Sequence, residues 1–231
     1  MIREDFDGAL AELVLSLTIA ALRQVFPANR WLREGHWGPN VEVPYATFRG
    51  SELWGKQVGL VGFGAVGQVL ARLLVPFECE VQYYDPYVRI LDQASYRALP
   101  TDDVMALFGT SDIISNHLPV NPTTDQLISR ELIEAMPAHA IFVNMARAKT
   151  VNRQALVSAL THGKIEGAVL DVFDREPPDE DDLVLCQLPN VVATPHIGGA
   201  TKEVVAHHAA IMTHVLTEWL DYHRWNARTP R

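Results

Sequence analysis

Cysteine is scarce in this sequence, with only Cys79 and Cys186 among 231 residues. The two are isolated and share no metal-binding spacing, which excludes a zinc ribbon and gives no sign of a disulfide framework. We therefore expect a reducing, cytoplasmic setting. The acidic run Asp179–Asp182 has no histidine or paired carboxylate at ligand spacing, so we interpret it as a solvated loop and predict no metal site.

Dense runs of lysine and arginine are also missing, and the formal net charge is -9. Nucleic-acid binding draws its affinity from clustered cations, so we expect no nucleic-acid partner. The most apolar early stretch, ALAELVLSLTIAAL, contains Glu12, is too short to span a bilayer and lacks the features of a signal peptide. We interpret it as a buried helix and expect no membrane partner.

The residues that are present suit a sizeable core, because 48% of them are hydrophobic. Six short apolar runs lack polar alternation, as strands covered on both faces do: QVGLVG, EVQYYD, DIISNHLP, AIFVNM, EGAVLDV and NVVATPH. Helix-like stretches lie between them and begin at the capping residues Thr101, Ser129 and Asn152. This alternation predicts a doubly wound α/β fold with a parallel sheet.

Helical patterns flank this region on both sides. Apolar residues recur with helical spacing from Gly8 to about Phe26, and Pro27 opens a second short helix. A long amphipathic helix is predicted from Thr201 to about Trp225. We divide the chain into a helical lead-in at residues 1–50, a nucleotide-binding domain at 51–200 and a closing C-terminal helix of that domain at 201–231.

A glycine-rich turn, GFGAVG, joins the first apolar run to a helix-like stretch and contains Gly62, Gly64 and Gly67. In this context the glycines allow a tight turn, close approach of the backbone to a diphosphate, and tight packing of helix on strand. The amides at the helix N-terminus then face the diphosphate. The pattern predicts a Rossmann-type dinucleotide site.

An acidic residue, Asp85, ends the next apolar run, EVQYYD. There a carboxylate can accept hydrogen bonds from both ribose hydroxyls of the adenosine. It would repel a 2'-phosphate, so the predicted cofactor is NAD rather than NADP. Arg89 lies close enough in the sequence to weaken this preference.

Four residues suited to proton transfer or anion binding follow the later apolar runs: Arg147, Asp171, Glu176 and His196. Ligands of such sheets bind outside the carboxyl ends of the strands. Hydride removal from an alcohol carbon requires removal of the hydroxyl proton, a task that suits histidine at neutral pH. Glu176 is the candidate partner that orients His196, and the planar guanidinium of Arg147 suits an acid substrate.

From about Phe6 onward the sequence resembles the D-isomer-specific 2-hydroxyacid dehydrogenases. The resemblance is carried by FDGALAELVLSLTIAALR, WGKQVGLVGFGAVGQVLA, NHLPVNPTTDQLI, FVNMARAKTVN, EGAVLDVFDREPP and TPHIGGAT. It implies an NAD-dependent oxidoreductase for a D-2-hydroxy acid or its 2-keto acid, with Arg147, Glu176 and His196 as catalytic residues. The implied cofactor contacts are Gly62, Gly64, Ala65, Val66, Gly67, Asp85, Thr124, Met145, Ala146, Arg147, Asp171, His196, Gly198 and Gly199.

The sequence departs from the family pattern at two places. Ala148 stands where the family usually has glycine, and a positive φ there would strain alanine and displace Arg147. Asn152 and Arg153 stand where the family usually has an acidic pair. We regard this second change as harmless, because Asn152 still caps a helix.

Family members also carry a second, flavodoxin-like domain that grips the substrate, and we expect this substrate domain to be absent here. NAD binding is then expected to survive better than turnover, because closure over the substrate needs the opposing domain. The lead-in segment of the family packs across a two-fold axis, which implies a homodimer. Two alternatives stay open: a non-catalytic NAD-binding module, and a fragment of a longer dehydrogenase.

Overall fold

Seven parallel strands form one sheet in the computed structural model, which describes residues 6–40, 42–88 and 96–228. The strands are β1 (Gln57–Val61), β2 (Glu80–Tyr84), β3 (Ala98–Pro100), β4 (Ile113–Asn116), β5 (Ile141–Asn144), β6 (Gly167–Leu170) and β7 (Val191–Ala193). Their order is β3-β2-β1-β4-β5-β6-β7. The order reverses between β1 and β4, which is the switch point where sheets of this kind bind ligands.

Nine α-helices lie within the described residues: α1 (Phe6–Leu22), α2 (Val25–Arg33), α3 (Glu42–Thr47), α4 (Ala65–Leu74), α5 (Val104–Thr110), α6 (Arg130–Ala135), α7 (Arg153–Thr161), α8 (Glu180–Gln187) and α9 (Val204–Arg228). Two short 3-10 turns span Val75–Phe77 and Ala148–Thr150. Strand and helix alternate along the middle of the chain.

The sheet is covered on both faces, as the apolar runs predicted. Strands β4, β5 and β6 are buried along their whole length. One core cluster includes Val14 of α1 and Leu70 of α4, and the other includes Phe108 of α5 and Leu156 of α7. The predicted doubly wound α/β fold is confirmed, and α1 belongs to the same core as the sheet.

The sequence-based boundaries need three corrections. Strand β3 was missed, because it has only three residues and ends in Pro100. The first helix ends at Leu22 rather than near Phe26, since Gln24 adopts a left-handed conformation (φ 51°). Pro27 then lies inside the first turn of α2, where its missing N–H is tolerated.

Of the three predicted helix caps, the structure confirms one, Asn152. Asn152 caps α7 by accepting the N–H of Ala155 at 2.9 Å, as expected. Thr101 is not a cap, because Asp103 holds that position at α5. Ser129 occupies the N-cap position of α6, but its hydroxyl donates to Glu131 at 2.6 Å instead of capping the backbone.

The two ends of the described chain leave apolar side chains exposed. Helices α2 and α3 contain no buried residue. On α9, Val205, Met212 and Trp219 are 72%, 58% and 55% exposed. That this helix closes the nucleotide-binding domain stays a prediction. Within the described ranges no single helix is both long and apolar enough to cross a membrane; α1 and α2 reach that length and composition only together, bent by 65°.

Candidate active site

The last residues of five neighbouring strands lie side by side: Val61, Asn116, Asn144, Leu170 and Ala193. The chain therefore leaves these strands at one edge of the sheet. The glycine turn follows β1 directly, and Arg147, Asp171 and His196 follow β5, β6 and β7 within a few residues. The register of the sheet thus brings the predicted cofactor and catalytic residues to the same edge.

Two of the three turn glycines have no room for a side chain. Gly62 has a positive φ of 94°, and an added Cβ would lie 3.0 Å from the carbonyl carbon and oxygen of His117. At Gly67 on α4 an added Cβ would lie 2.8 Å from the carbonyl oxygen of Gly62. The first glycine therefore makes the tight turn, and Gly67 allows the helix to pack on it.

Gly64 has a different environment, because an added Cβ there would meet no protein atom within 4 Å. Gly64 is the N-cap of α4 and has no side chain to occupy the first amides of the helix. The N-terminal amides of a helix carry partial positive charge and suit an anion. Gly64 therefore leaves space at the N-terminus of α4, as a bound diphosphate requires, and the contacts of Ala65 and Val66 with a cofactor stay predictions.

Asp85 is tied to the glycine turn. Its Oδ2 accepts the N–H of Phe63 at 2.8 Å, and its Oδ1 accepts the N–H groups of Tyr87 at 2.8 Å and Val88 at 3.0 Å. The carboxylate at the end of β2 thus lies beside the turn, as a ribose-binding residue must. Arg89 lies outside the described residues.

His196 and Glu176 form a direct pair, with Nδ1 of His196 2.6 Å from Oε2 of Glu176. The hydrogen bond from His196 lowers the pKa of Glu176; partial burial opposes this effect, while the N–H of Phe173 and the charges of His196 and Arg147 support it. Glu176 is therefore held as a carboxylate. Because Nδ1 is occupied, Nε2 of His196 is the nitrogen available for proton exchange with a ligand.

Asp171 anchors the loop that carries His196. It is fully buried, and its Oδ1 accepts the hydroxyl of Thr194 at 2.5 Å and the N–H of Ile197 at 2.9 Å, while Oδ2 accepts the N–H of Gly198 at 2.8 Å. These bonds hold His196 in a left-handed conformation (φ 53°), which is uncommon for a residue with a Cβ. The structure gives Asp171 a positioning role, and its contact with the cofactor stays a prediction.

Arg147 is an exposed residue in the loop after β5, and buried polar groups fix its backbone. Nδ2 of Asn144 donates to the carbonyl of Arg147 at 3.1 Å, and the hydroxyl of Thr150 donates to the same carbonyl at 2.8 Å. Nδ2 of Asn116 in turn donates to Oδ1 of Asn144 and to Oγ1 of Thr150. These three residues are at most 2% exposed, so the network is shielded from water.

Sequence reasoning missed this network. Asn116 and Asn144 fall within the runs DIISNHLP and AIFVNM, where a polar residue after several apolar ones was the available signal, and nothing in the sequence singles out Thr150. Ala148 was expected to be strained if its φ were positive. It instead begins the 3-10 turn and is not among the described non-glycine residues with positive φ, so it does not displace Arg147 by strain.

The remaining cofactor residues implied by the resemblance lie in loops at the same edge. Thr124, Met145 and Ala146 are buried, and the hydroxyl of Thr124 donates to the carbonyl of Pro119 at 2.6 Å. Gly198 is also buried, and an added Cβ would lie 2.5 Å from Cδ1 of Leu10 on α1, while Gly199 is partly buried. Their contacts with a cofactor stay predictions.

The sequence profile of the D-isomer specific 2-hydroxyacid dehydrogenase, NAD binding domain, matches residues 15–198, which is most of the chain. The chain belongs to this family. Its glycine turn, helix N-terminus and Asp85 agree with NAD as the cofactor of this 2-hydroxyacid dehydrogenase domain. No group of three or more His, Cys, Asp or Glu side chains in the described part of the chain is placed to hold a metal ion.

Several relatives of this 2-hydroxyacid dehydrogenase domain are longer. YoaD of Bacillus subtilis (strain 168), whose name places it among 2-hydroxyacid dehydrogenases, is 44% identical over 221 residues, which are 96% of this chain and 63% of YoaD. The hydroxypyruvate reductase of Thermotoga maritima is 40% identical over 198 residues, 84% of this chain and 61% of that protein. A solved acyclic imino acid reductase in complex with NADPH and D-Arg superposes with a TM-score of 0.81 at 28% identity, covering 93% of this chain and 65% of that one. The chain therefore spans less than two thirds of each.

Proposed function

We propose that this chain transfers a hydride between NAD and C2 of a D-2-hydroxy acid or its 2-keto acid. The observation that carries the proposal is the alignment of strand ends, which places the His196–Glu176 pair, 2.6 Å apart, at the same sheet edge as the glycine turn. Membership of the 2-hydroxyacid dehydrogenase family supports this reaction class.

His196 is the proposed acid and base. In the reducing direction its Nε2 proton goes to the carbonyl oxygen while C2 accepts the hydride; in the oxidising direction Nε2 accepts the hydroxyl proton. When bound, the nicotinamide ring of NAD supplies the carbon that gives or takes the hydride. The carboxylate of Glu176 stabilises the charged imidazole and fixes the ring, because it bonds to Nδ1.

Arg147 is the proposed binding residue for the substrate carboxylate. Arg147 is exposed, and Nη1 of its guanidinium donates to the carbonyl of Ala146 at 2.6 Å. Its positive charge helps to lower the pKa of Glu176, which indicates that it lies near the acid–base pair. A planar guanidinium can hold a carboxylate with two parallel hydrogen bonds. An acid held in this way would have its C2 near His196, which matches a 2-hydroxy or 2-keto acid.

We also propose NAD in preference to NADP. The carboxylate of Asp85, fixed beside the turn by Phe63, suits ribose hydroxyls and repels a 2'-phosphate. The imino acid reductase shows that a structural neighbour can hold NADPH, so this preference needs its own test. Titration with NADH and with NADPH under the same conditions should give the lower Kd for NADH.

We further propose that the chain forms a homodimer and acts in the cytoplasm. Phe26, Leu32, Trp37 and Tyr45, in and beside α2 and α3, are 43% to 76% exposed, and such a set of apolar side chains suits an interface between two copies. Light scattering should give twice the mass of one chain. A stable monomer at micromolar concentration would contradict the dimer.

The direct test is an assay of NADH oxidation by the 231-residue chain with a panel of 2-keto acids. We expect stereospecific reduction to the D-2-hydroxy acid. Saturable NADH binding without reduction of any 2-keto acid would instead favour one of the two alternatives, a non-catalytic NAD-binding module or a fragment of a longer dehydrogenase. Absence of NADH binding would contradict both functions.

A further inference from the structure

Arg153 occupies a position that its charge disfavours, because it is the first residue of α7, at the positive end of the helix dipole. Its guanidinium faces three carboxylates. Nη1 lies 3.6 Å from Asp174, Nη2 lies 3.2 Å from Asp181 and Nε lies 3.6 Å from Asp182. A planar fork suits several partners at once, so these carboxylates account for an arginine at this place.

The acidic run Asp179–Asp182 is not the solvated loop that we expected, because Asp179 caps α8 and Asp182 lies buried in its first turn. Asp182 links this cluster to the loop before Glu176. It is 1% exposed, and its Oδ2 accepts the backbone N–H of Arg175 at 3.1 Å. A buried carboxylate without a charged partner is strongly unfavourable, so Asp182 depends on Arg153. Arg153 therefore holds the loop at two adjacent residues, at Asp174 by a direct ion pair and at Arg175 through Asp182.

Arg153 also lies near both loops of the candidate site. It borders a cavity of about 30 Å³ together with Ala148, which follows Arg147, and Phe173, whose N–H faces Glu176. The ion pairs of Arg153 with Asp174 and Asp182 therefore lie where the two loops come close together. Loss of Arg153 would enlarge the cavity and free the loop that carries Glu176.

We propose that Arg153 and Asp182 are positioning residues for Glu176, fixing the loop of residues 173–176 so that Glu176 stays paired with His196. The inference rests on the proposed role of that pair in proton transfer. If the proposal is right, Arg153 supports the function of the site, and its replacement of the family's acidic residue is not merely harmless.

The test measures the pKa of Glu176 in the full 231-residue chain by carbon NMR of labelled glutamate side chains, with Glu176→Gln to assign the signal. The wild-type pKa is lowered chiefly by the hydrogen bond from His196. In Arg153→Gln and in Asp182→Asn we expect this pKa to rise by about half a pH unit or more, because the loop no longer holds the pair together.

The two variants separate positioning from simple charge effects. Arg153→Gln removes a positive charge, which alone would raise the pKa of Glu176, whereas Asp182→Asn removes a negative charge, which alone would lower it. A rise in both variants supports positioning. A rise in the first with a fall in the second, or no change in either, would overturn the proposal.

Two further variants complete the design. Asp174→Asn breaks one ion pair at a partly exposed site, so it replaces Asp182→Asn if that variant does not fold. In Asp174→Asn the pKa of Glu176 should also rise. Arg130→Gln is the matched control, because Arg130 is the first residue of α6 and pairs only on the surface, with Glu134 at 3.5 Å. It should leave Glu176 unchanged.

NADH titration of each variant keeps this proposal distinct from the proposed function. The glycine turn is not part of the Arg153 cluster, so NADH affinity should be unchanged in all of these variants. If wild-type protein fails to bind NADH, the proposed function is wrong, while the change in the pKa of Glu176 still decides whether Arg153 positions it.

Discussion

The carboxylate of Asp171 accepts the backbone N–H of Gly198 at 2.8 Å, across the loop that carries His196. Both carboxylate oxygens of Asp171 accept hydrogen bonds in a fully buried site. In Asp171→Asn the amide NH₂ group would therefore face a backbone or side-chain donor that now lacks an acceptor. We expect the free energy of unfolding to fall by about 2–4 kcal/mol in urea titrations. Thr194→Val is the control: it removes one donor and should cost about 1 kcal/mol. Equal small losses in the two variants would argue against Asp171 as the anchor.

Replacement of His196 tests the acid–base assignment. His196→Gln should lower the rate of 2-keto acid reduction by about 10²–10⁴-fold, because a positioned proton donor is lost, while NADH affinity stays nearly unchanged. Steady-state assays and NADH titration measure the two effects. His36→Gln is the matched control, since His36 also pairs with a glutamate, Glu34, at 3.0 Å, but outside the site. Equal rates in both variants would refute the role of His196.

The low pKa of His117 should make the folded protein less stable in mild acid. Burial lowers the pKa of His117 to about 4 from its ordinary 6.5, and its Nε2 lies 3.0 Å from Oγ of Ser115. Between these pH values the unfolded chain binds a proton that the folded chain does not. The free energy of unfolding therefore falls as the pH drops through this window, by about 1–3 kcal/mol.

Urea unfolding at a series of pH values between about 7 and 4.5 checks this prediction. In His117→Asn the stability should depend less on pH than in the wild-type protein. His162→Asn, which changes an exposed histidine on the surface after α7, should leave the wild-type dependence intact. An unchanged slope in His117→Asn would contradict the assignment.

The fold and the pieces of the site could be predicted from the sequence, because apolar runs and glycine spacing are local signals. The strands around Val61, Asn144 and Leu170 follow from near-continuous hydrophobicity, and Gly62 and Gly67 follow from steric limits within a few residues. Strand β3 has only three residues, too few for a recognisable apolar run. Its three residues pair with β2 through tertiary context alone.

The supports of the site could not be predicted, because they depend on register between distant strands. Asn116 and Thr150 are separated by 34 positions and meet only because β4 and β5 are neighbours in the sheet. Arg153 was judged by comparison with a family pattern, which carries no information on the carboxylates of Asp174 and Asp182 beside it. Electrostatic partners across loops become visible only in three dimensions.

The central claim is that the glycine turn holds the diphosphate of NAD, and Gly64 tests it most directly. A methyl group there meets no protein atom within 4 Å, so Gly64→Ala should fold normally yet reach into the space proposed for the diphosphate. In NADH fluorescence titrations we expect saturable binding by wild-type protein and by Gly38→Ala, whose added methyl group also meets no protein atom within 4 Å. For Gly64→Ala we expect a Kd raised by about tenfold or more. Equal Kd values for Gly64→Ala and Gly38→Ala would contradict the account.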